Sequence, residues 1–486
     1  MVEHFDVVVV GAGLSGIGAG YHLQTHCPDR SYVILEGRER MGGTWDLFRY
    51  PGIRSDSDMH TLGFSFRPWT GDKAIADGAS ILRYLEDTGR EFGIDRRIRF
   101  GHRVTQAAWS SAEALWTLTV NEGDEERRFT CAFLLMCSGY YDYARGYLPD
   151  YPGAEAFRGQ LVHPQFWPGD LDWRGKRVVV IGSGATAVTL VPELAREAAH
   201  VVMLQRSPTY IVAQPSRDRI GNALRRWLPG KTAYALTRWK NVLVQQFYYQ
   251  IMRRYPARAK TRLVEMVRDE LGADYDVGTH FTPSYDPWDQ RLCLVPDADL
   301  FATIRAGKAE VVTDTIARFT PDGIALSSGR TLQADLVVSA TGLNIQLFGG
   351  MQVSIDGVPF EPARHLTYKG MMFADVPNLA IAFGYTNASW TLKADLTAKY
   401  VTRLLNAMRK RGMRQVTPRV SEPVEDVPFL DFTSGYVQRA AAALPRQGSR
   451  TPWRVHQNYA RDLFALKFGS VDEEMEFSSP EPRRVA

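Results

Sequence analysis

Two glycine-rich turns of the same design stand out as groups that could hold phosphate. Gly11-Ala-Gly13-Leu-Ser15-Gly16 follows a β-branched run at 5–10 and opens a helical pattern, and Gly182-Ser183-Gly184-Ala185-Thr186-Ala187 does the same after 177–181. In such a turn the first glycine makes the tight bend and the second lets backbone approach a pyrophosphate. The third lets the helix pack on the strand, and alanine there still permits that packing. The helix N-terminus then offers unpaired N–H groups and a positive dipole end to the phosphates. After the first turn, 31–35 reads as the next strand and ends at Glu36, twenty positions past Gly16, where a carboxylate accepts ribose hydroxyls. An acid there disfavours a 2′-phosphate, so the first site takes FAD or NAD rather than NADP. After the second turn, 201–204 ends in Gln205-Arg206-Ser207 with no acid. Arg206 can pair a 2′-phosphate and Ser207 can add a hydroxyl donor, so the second site prefers NADPH.

Between and beyond the turns lie segments suited to the reacting end of a dinucleotide. Gly42-Gly43-Thr44-Trp45-Asp46-Leu47 runs on to Tyr50-Pro51-Gly52 and Asp56. Alternating glycine, proline and aromatic residues make this a loop. It is long enough to cross an isoalloxazine, with Trp45 and Tyr50 as apolar walls and Asp56 as a buried charge; taken alone, Trp45 serves packing better than a cofactor. Ser15, Thr44, Trp45, Asp46, Leu47, Asp56 and Val104 join the glycines and Glu36 as expected cofactor contacts. The run at 133–137 followed by Ser138-Gly139 reads as a later strand ending in a turn small enough to lie against a ligand. Just before the second turn stands Phe157-Arg-Gly159-Gln-Leu-Val-His163-Pro-Gln-Phe-Trp167-Pro168.

Together these segments resemble the flavin-containing monooxygenase superfamily, and within it the type I Baeyer–Villiger monooxygenases. That family carries FxGxxxHxxxW followed by Pro or Asp, and Phe157, Gly159, His163, Trp167 and Pro168 fill every place. It also carries a small-Gly-x-Trp, aromatic-Pro-Gly, Asp pattern that Gly42 to Asp56 fits throughout. The resemblance implies FAD at the first site and NADPH at the second. It further implies that Arg291, in Asp286-Pro-Trp-Asp289-Gln290-Arg291, stands over the flavin and holds an oxygen-derived anion, with Asp56 to orient it. Many relatives have lysine where this chain has Gln290, which places more weight on Arg206. Ala340-Thr341-Gly342 is where such chains cross back to the flavin domain, and Asn387 and Trp390 then lie on the flavin or substrate side. Phe157, Gly159, His163 and Trp167, just ahead of the second fold, suit a hinge or packed linker better than a catalytic base.

These residues need two α/β, Rossmann-like domains, with 1–150 and 336–486 holding FAD and 151–335 holding NADPH. A length of 486 residues and 45% hydrophobic content supply the cores. A helical insertion is expected over about 218–272, rich in Trp, Tyr, Arg and Lys, with prolines only at Pro229 and Pro256. Its composition would allow weak contact with a membrane surface, although a solvated face over a substrate pocket is the preferred reading. The net charge of +4 from 58 basic and 54 acidic residues gives no case for nucleic acid. Four cysteines without a CxxC fit neither a metal site nor a disulfide framework and suit reduced thiols in a cytoplasmic protein. In the tail, 429–436 and 453–468 are expected to dock and the last ten residues to be loose.

The expected reaction uses O2 and NADPH to convert a ketone to an ester or lactone, with sulfides or thioamides as secondary substrates. Sulfur or nitrogen oxygenation on the same fold is the alternative. A non-catalytic flavin-binding or membrane-surface protein is disfavoured, because a binder needs no hydride donor. The sequence leaves the oligomeric state open.

Overall fold

Strand Glu3–Val10 has its last residues sealed on both faces, with Val7, Val8 and Val9 fully buried. A strand covered on both sides has no solvent face, which is why the sequence shows a run of valines and no alternation. The computed structural model describes residues 2–430 and 432–480. In it this strand pairs in parallel with Tyr32–Leu35 on one side and with Glu125–Met136 on the other. Leu379–Ile381 joins the carboxyl half of Glu125–Met136, also in parallel. Antiparallel strands His102–Ser110 and Leu115–Glu122 widen the sheet, and Gln352–Ile355 adds to its edge. Both ends of the chain thus build one sheet.

The second sheet is wholly parallel, in the order Ala309–Thr313, His200–Gln205, Arg177–Ile181, Leu336–Ser339, Gln160–Val162. Its central valines, Val178 to Val180, are as deeply buried as those of the first sheet. Where the chain passes between the sheets, the outgoing strand Tyr141–Gly146 and the returning strand Leu343–Ile345 pair antiparallel as a two-stranded ribbon. The architecture is α/β with two Rossmann-like units and a helical insertion in the second.

The 157–168 stretch is built into the second sheet. Its middle, Gln160–Val162, is the edge strand, and Phe157 and Trp167 pack against Phe319 and Trp173 at 5.7 and 5.9 Å. A Cβ at Gly159 would lie 2.6 Å from the Asp335 carbonyl oxygen, so the close approach of strand and loop requires glycine. The segment after Asp286 also gains order, because Cys293–Pro296 is a short strand on Ile211–Gln214. All four cysteines are free and buried, and burial pushes the Cys131 and Cys293 thiols up to about 12. In the tail, Trp453 is fully buried, and Met475–Ser478 pairs with Gln415–Pro418, so the last ten residues begin in a sheet; residues 481–486 lie outside the described residues.

The insertion consists of helices Arg219–Trp227, Gly230–Arg254 and Pro256–Leu271. Pro229 precedes the second and Pro256 opens the third, positions where a missing N–H costs nothing. The long helix is clamped to the first unit through Arg238. This side chain is buried, and its Nη1 donates to the carbonyl oxygens of His60 and Gly63, each at 2.7 Å, at the end of the short helix Met59–Leu62. Tyr234 adds a bond to the Phe64 carbonyl at 3.1 Å. A cation satisfying the orphan carbonyls of a helix end also complements its dipole. Arg238→Met should therefore destabilise the protein by about 2–4 kcal/mol, because it strands buried carbonyls. Urea denaturation followed by circular dichroism measures this, and a change within about 0.5 kcal/mol would show that the clamp is ornamental.

Candidate active site

The first turn is a cradle that only glycine permits. Gly11 has φ +104°, and a Cβ on it would lie 2.6 Å from the Cys137 carbonyl oxygen; one on Gly16 would lie 1.9 Å from the Gly11 carbonyl. The Gly11 N–H donates to the Leu35 carbonyl at 2.8 Å, tying the turn to the neighbouring strand. The second turn repeats this construction. Gly182 has φ +127°, a Cβ there would meet the Ala340 carbonyl at 2.4 Å, and its N–H donates to the Leu204 carbonyl at 2.8 Å. The residues after Leu35 and Leu204 are therefore structural equivalents, and they differ in chemistry. Glu36 is a buried carboxylate that accepts from the Ala12 N–H at 2.7 Å and the Arg38 N–H at 2.9 Å, and burial raises its pKa. Gln205 turns inward and donates to the His280 carbonyl at 2.7 Å, so the acid's place in the second turn is neutral and Arg206 is the next residue. Ser183 Oγ donates to the Ser207 carbonyl at 3.2 Å beside it.

A cavity of about 630 Å³ starts at the first turn and ends against the second unit. Gly11, Gly13, Ser15, Glu36, Thr44, Trp45, Leu47, Asp56 and Val104 line it, as do Ala185 and Thr186 from the second turn. Arg291 stands at this meeting point, its Nε 2.9 Å from Asp56 Oδ2, with about a third of each side chain exposed to the space they line. The Asp56 carboxylate pushes the guanidinium pKa further up. Tyr50 and Thr186 both line the cavity, one from the flavin-side loop and one from the second helix, and burial pushes the Tyr50 hydroxyl up to about 12. Trp390 lines the wall, donates its indole N–H to Ser15 Oγ at 2.9 Å and stacks on Tyr140 at 4.9 Å.

Not every expected contact faces this space. Asp46 is 2% exposed and turned into a cluster of Arg38, Arg49 and Arg40 at 2.6, 3.1 and 3.6 Å; its charge is spent on folding the loop. Gly16 and Ala187 pack helix on strand, and Gly182, Ser183, Gly184, Arg206 and Ser207 sit at the carboxyl ends of the second sheet's strands, outside the cavity lining. Asn387 is buried and donates to the Gln457 carbonyl, also off the wall. The sequence reading overlooked Tyr140 and Tyr141, whose hydroxyls lie 2.6 Å apart on the lining beside Arg291. Their signal was two tyrosines straight after the Ser138-Gly139 turn. Ser138 Oγ is buried on the lining with no hydrogen-bond partner, a polar atom of the kind a bound cofactor satisfies.

Comparison with known proteins identifies the group to which this arrangement belongs. The model of the flavin-binding monooxygenase-like family matches residues 74–411, and that of an NAD(P)-binding Rossmann-like domain matches 9–71. The chain is 57% identical to the FAD-containing monooxygenase EthA of Mycobacterium tuberculosis, over 98% of this chain and 97% of that one. The chain belongs to the flavin-binding monooxygenase-like family. It is also 48% identical to a probable FAD-binding monooxygenase, AlmA, of Acinetobacter baylyi, over 97% of this chain and 96% of the other. Its fold matches that of an oxidized steroid monooxygenase bound to NADP, with TM-score 0.76, 22% identity and coverage of 98% and 100%. An open cyclohexanone monooxygenase matches with TM-score 0.75, 21% identity and the same coverage.

Within this family member, His163 sits at the crossing between the two sheets. Its Nε2 lies 3.1 Å from the Gly342 carbonyl and its Nδ1 accepts from the Gln165 N–H at 3.2 Å, which assigns the proton to Nε2. The ring is absent from the cavity lining and sits where the two crossing strands meet, close against Gly146. Burial lowers its pKa below 6.5. The neutral ring is therefore favoured by folding, and its contribution is present above pH 6.5 and lost as pH falls through the depressed folded value. Denaturation midpoints at neutral and mildly acid pH should fall further for the native protein than for His163→Asn, and parallel curves would refute this placement.

Proposed function

We propose that this chain is an FAD- and NADPH-dependent Baeyer–Villiger monooxygenase. It turns a ketone, O2, NADPH and a proton into an ester or lactone, NADP⁺ and water, with sulfides and thioamides as secondary substrates. The observation that carries the reading is Arg291, fixed by Asp56 where the first-turn cavity meets the second turn. Residues 1–150 and 336–486 hold the flavin dinucleotide and 151–335 the nicotinamide dinucleotide. The glycine cradle, Glu36 beside it and the unpartnered Ser138 hydroxyl fit FAD. The acid-free second turn followed by Arg206 and Ser207 fits a 2′-phosphate.

Bound flavin, once reduced by NADPH, supplies the activated oxygen. Arg291 decides what that oxygen can do. A guanidinium beside a carboxylate keeps its proton at every working pH, so it serves as a fixed positive charge and not as an acid. Asp56 is met through Nε, which leaves the fork of terminal nitrogens for an oxygen ligand. There it holds negative charge on the oxygen to be transferred and on the carbonyl oxygen as the carbon becomes tetrahedral. An anionic oxygen nucleophile attacks carbonyl carbon, whereas oxidation of a soft sulfur or nitrogen calls for the protonated form. Phe48, Tyr50, Tyr140 and Trp390 exclude water from that charge.

Two substitutions separate the halves of this reading. Gly182→Ala places a Cβ against the Ala340 carbonyl, so the protein should keep its flavin while NADPH reduces that flavin at least about tenfold more slowly. Arg291→Ala should leave flavin reduction measurable and lower ester formation by roughly 10²–10³. Stopped-flow absorbance and product mass spectrometry read both, and ester formation retained in Arg291→Ala would overturn the role of the arginine.

A further inference from the structure

The chain's weak net charge conceals a strongly basic segment. Residues 219–264 contain eleven of the 58 Lys and Arg and none of the 54 Asp and Glu, so the rest of the chain is net negative, with 47 basic against 54 acidic residues. This segment is most of the helical insertion, whose last residues, 265–271, carry Glu265, Asp269 and Glu270, and it is also where exposed apolar side chains concentrate. Along helix Gly230–Arg254, Leu236, Trp239, Leu243, Phe247 and Ile251 recur every three or four residues as one exposed ridge, with Val244 and Tyr248 beside it. Phe247 is 60% exposed, and Trp227, at the end of the preceding helix, is 86% exposed. Exposed Arg226 and Lys231 lie at one end of the ridge, and Arg254 and Arg258 at the other.

We propose that this outer face docks the protein on an anionic lipid bilayer, with the long helix lying in the headgroup region. The inner residues of the same helix, Arg238 and Tyr234, are committed to the protein body, so the ridge is the face left over once the helix is packed. Apart from Trp239, whose ring also packs on Tyr459 at 5.7 Å, the ridge has no aromatic partner in the body among the described residues, and soluble proteins keep such exposed apolar patches small. Aromatic and aliphatic residues backed by Lys and Arg, with no acid within the segment, match a surface that is apolar inside and negative outside. Among the described residues no helix is long and apolar enough to cross a membrane, so the contact lies on the surface. Cationic ends and the absence of acids select anionic lipid over zwitterionic lipid and over an acid-poor protein partner. The docked face is carried by a helix whose Val242 packs with Tyr385 of the cavity wall, which places the bilayer on the side of the site.

The test uses the full-length, flavin-loaded protein and sedimentation with phosphatidylcholine vesicles, with or without phosphatidylglycerol. Binding should require phosphatidylglycerol and fall steeply with salt. Arg226→Gln/Arg254→Gln/Arg258→Gln should weaken it on the order of a hundredfold, about fivefold per charge. Leu243→Ser/Phe247→Ser should weaken it by at least about tenfold without touching a charge. Because every substituted side chain is exposed, flavin content and thermal midpoint should stay unchanged. Failure of the native protein to sediment with phosphatidylglycerol vesicles overturns the proposal, as does undiminished binding by the Leu243/Phe247 variant. Self-association that the same two substitutions dissolve would assign the ridge to a second copy of the chain and overturn it equally.

Discussion

The Arg291–Asp56 ion pair brings together residues from two separately built units. Asp56 ends the loop that begins at Gly42 in the first unit, and Arg291 precedes a strand that pairs with Ile211–Gln214 beyond the second turn. Their 2.9 Å separation therefore depends on how the two sheets are set against each other. A pair with a third of each side chain exposed contributes at most about 1 kcal/mol, too little to hold that arrangement in place. The pair is a consequence of the assembly, and its value lies in fixing a charge where two dinucleotide crevices meet.

What sets the units against each other is buried and mostly neutral. The chain crosses between sheets twice, the crossings pair with each other, and His163 caps the ribbon they make through the Gly342 carbonyl. Arg238 ties the insertion to the end of Met59–Leu62. Each of these contacts satisfies backbone groups that would otherwise be stranded away from water, a larger stake than an exposed ion pair offers. Small rotations about the ribbon would change the distance between nicotinamide-side and flavin-side residues while leaving both sheets intact.

The two turns were legible because their demands are local: Gly11 and Gly182 sit at positive φ under a neighbouring carbonyl, where any side chain collides. The insertion was legible from its change of composition and its two prolines. Arg291 and Asp56 became readable only through family resemblance, since residues 235 positions apart carry no local sign of contact. Asp46 fitted the same loop pattern as its neighbours, yet three arginines that converge only in the fold claim its carboxylate. The edge strand in 157–168 is three residues long, too short to show any period, so the stretch reads only as a hinge or packed linker. The Arg238 clamp was invisible for the same reason as Arg291, because long-range packing creates it, whereas the adjacent Tyr140 and Tyr141 stand straight after the Ser138-Gly139 turn and had a local sign.

The central claim is that a fixed cation at the junction of two cofactor crevices directs oxygen onto carbonyl carbon. It is tested most directly by turnover of a panel of linear, cyclic and aryl ketones with NADPH under isotopically labelled oxygen gas. Esters or lactones carrying one labelled atom, in the newly formed carbon–oxygen bond, are expected. NADPH consumption that yields no ester from any ketone, or labelled oxygen found only on sulfur substrates, would contradict it.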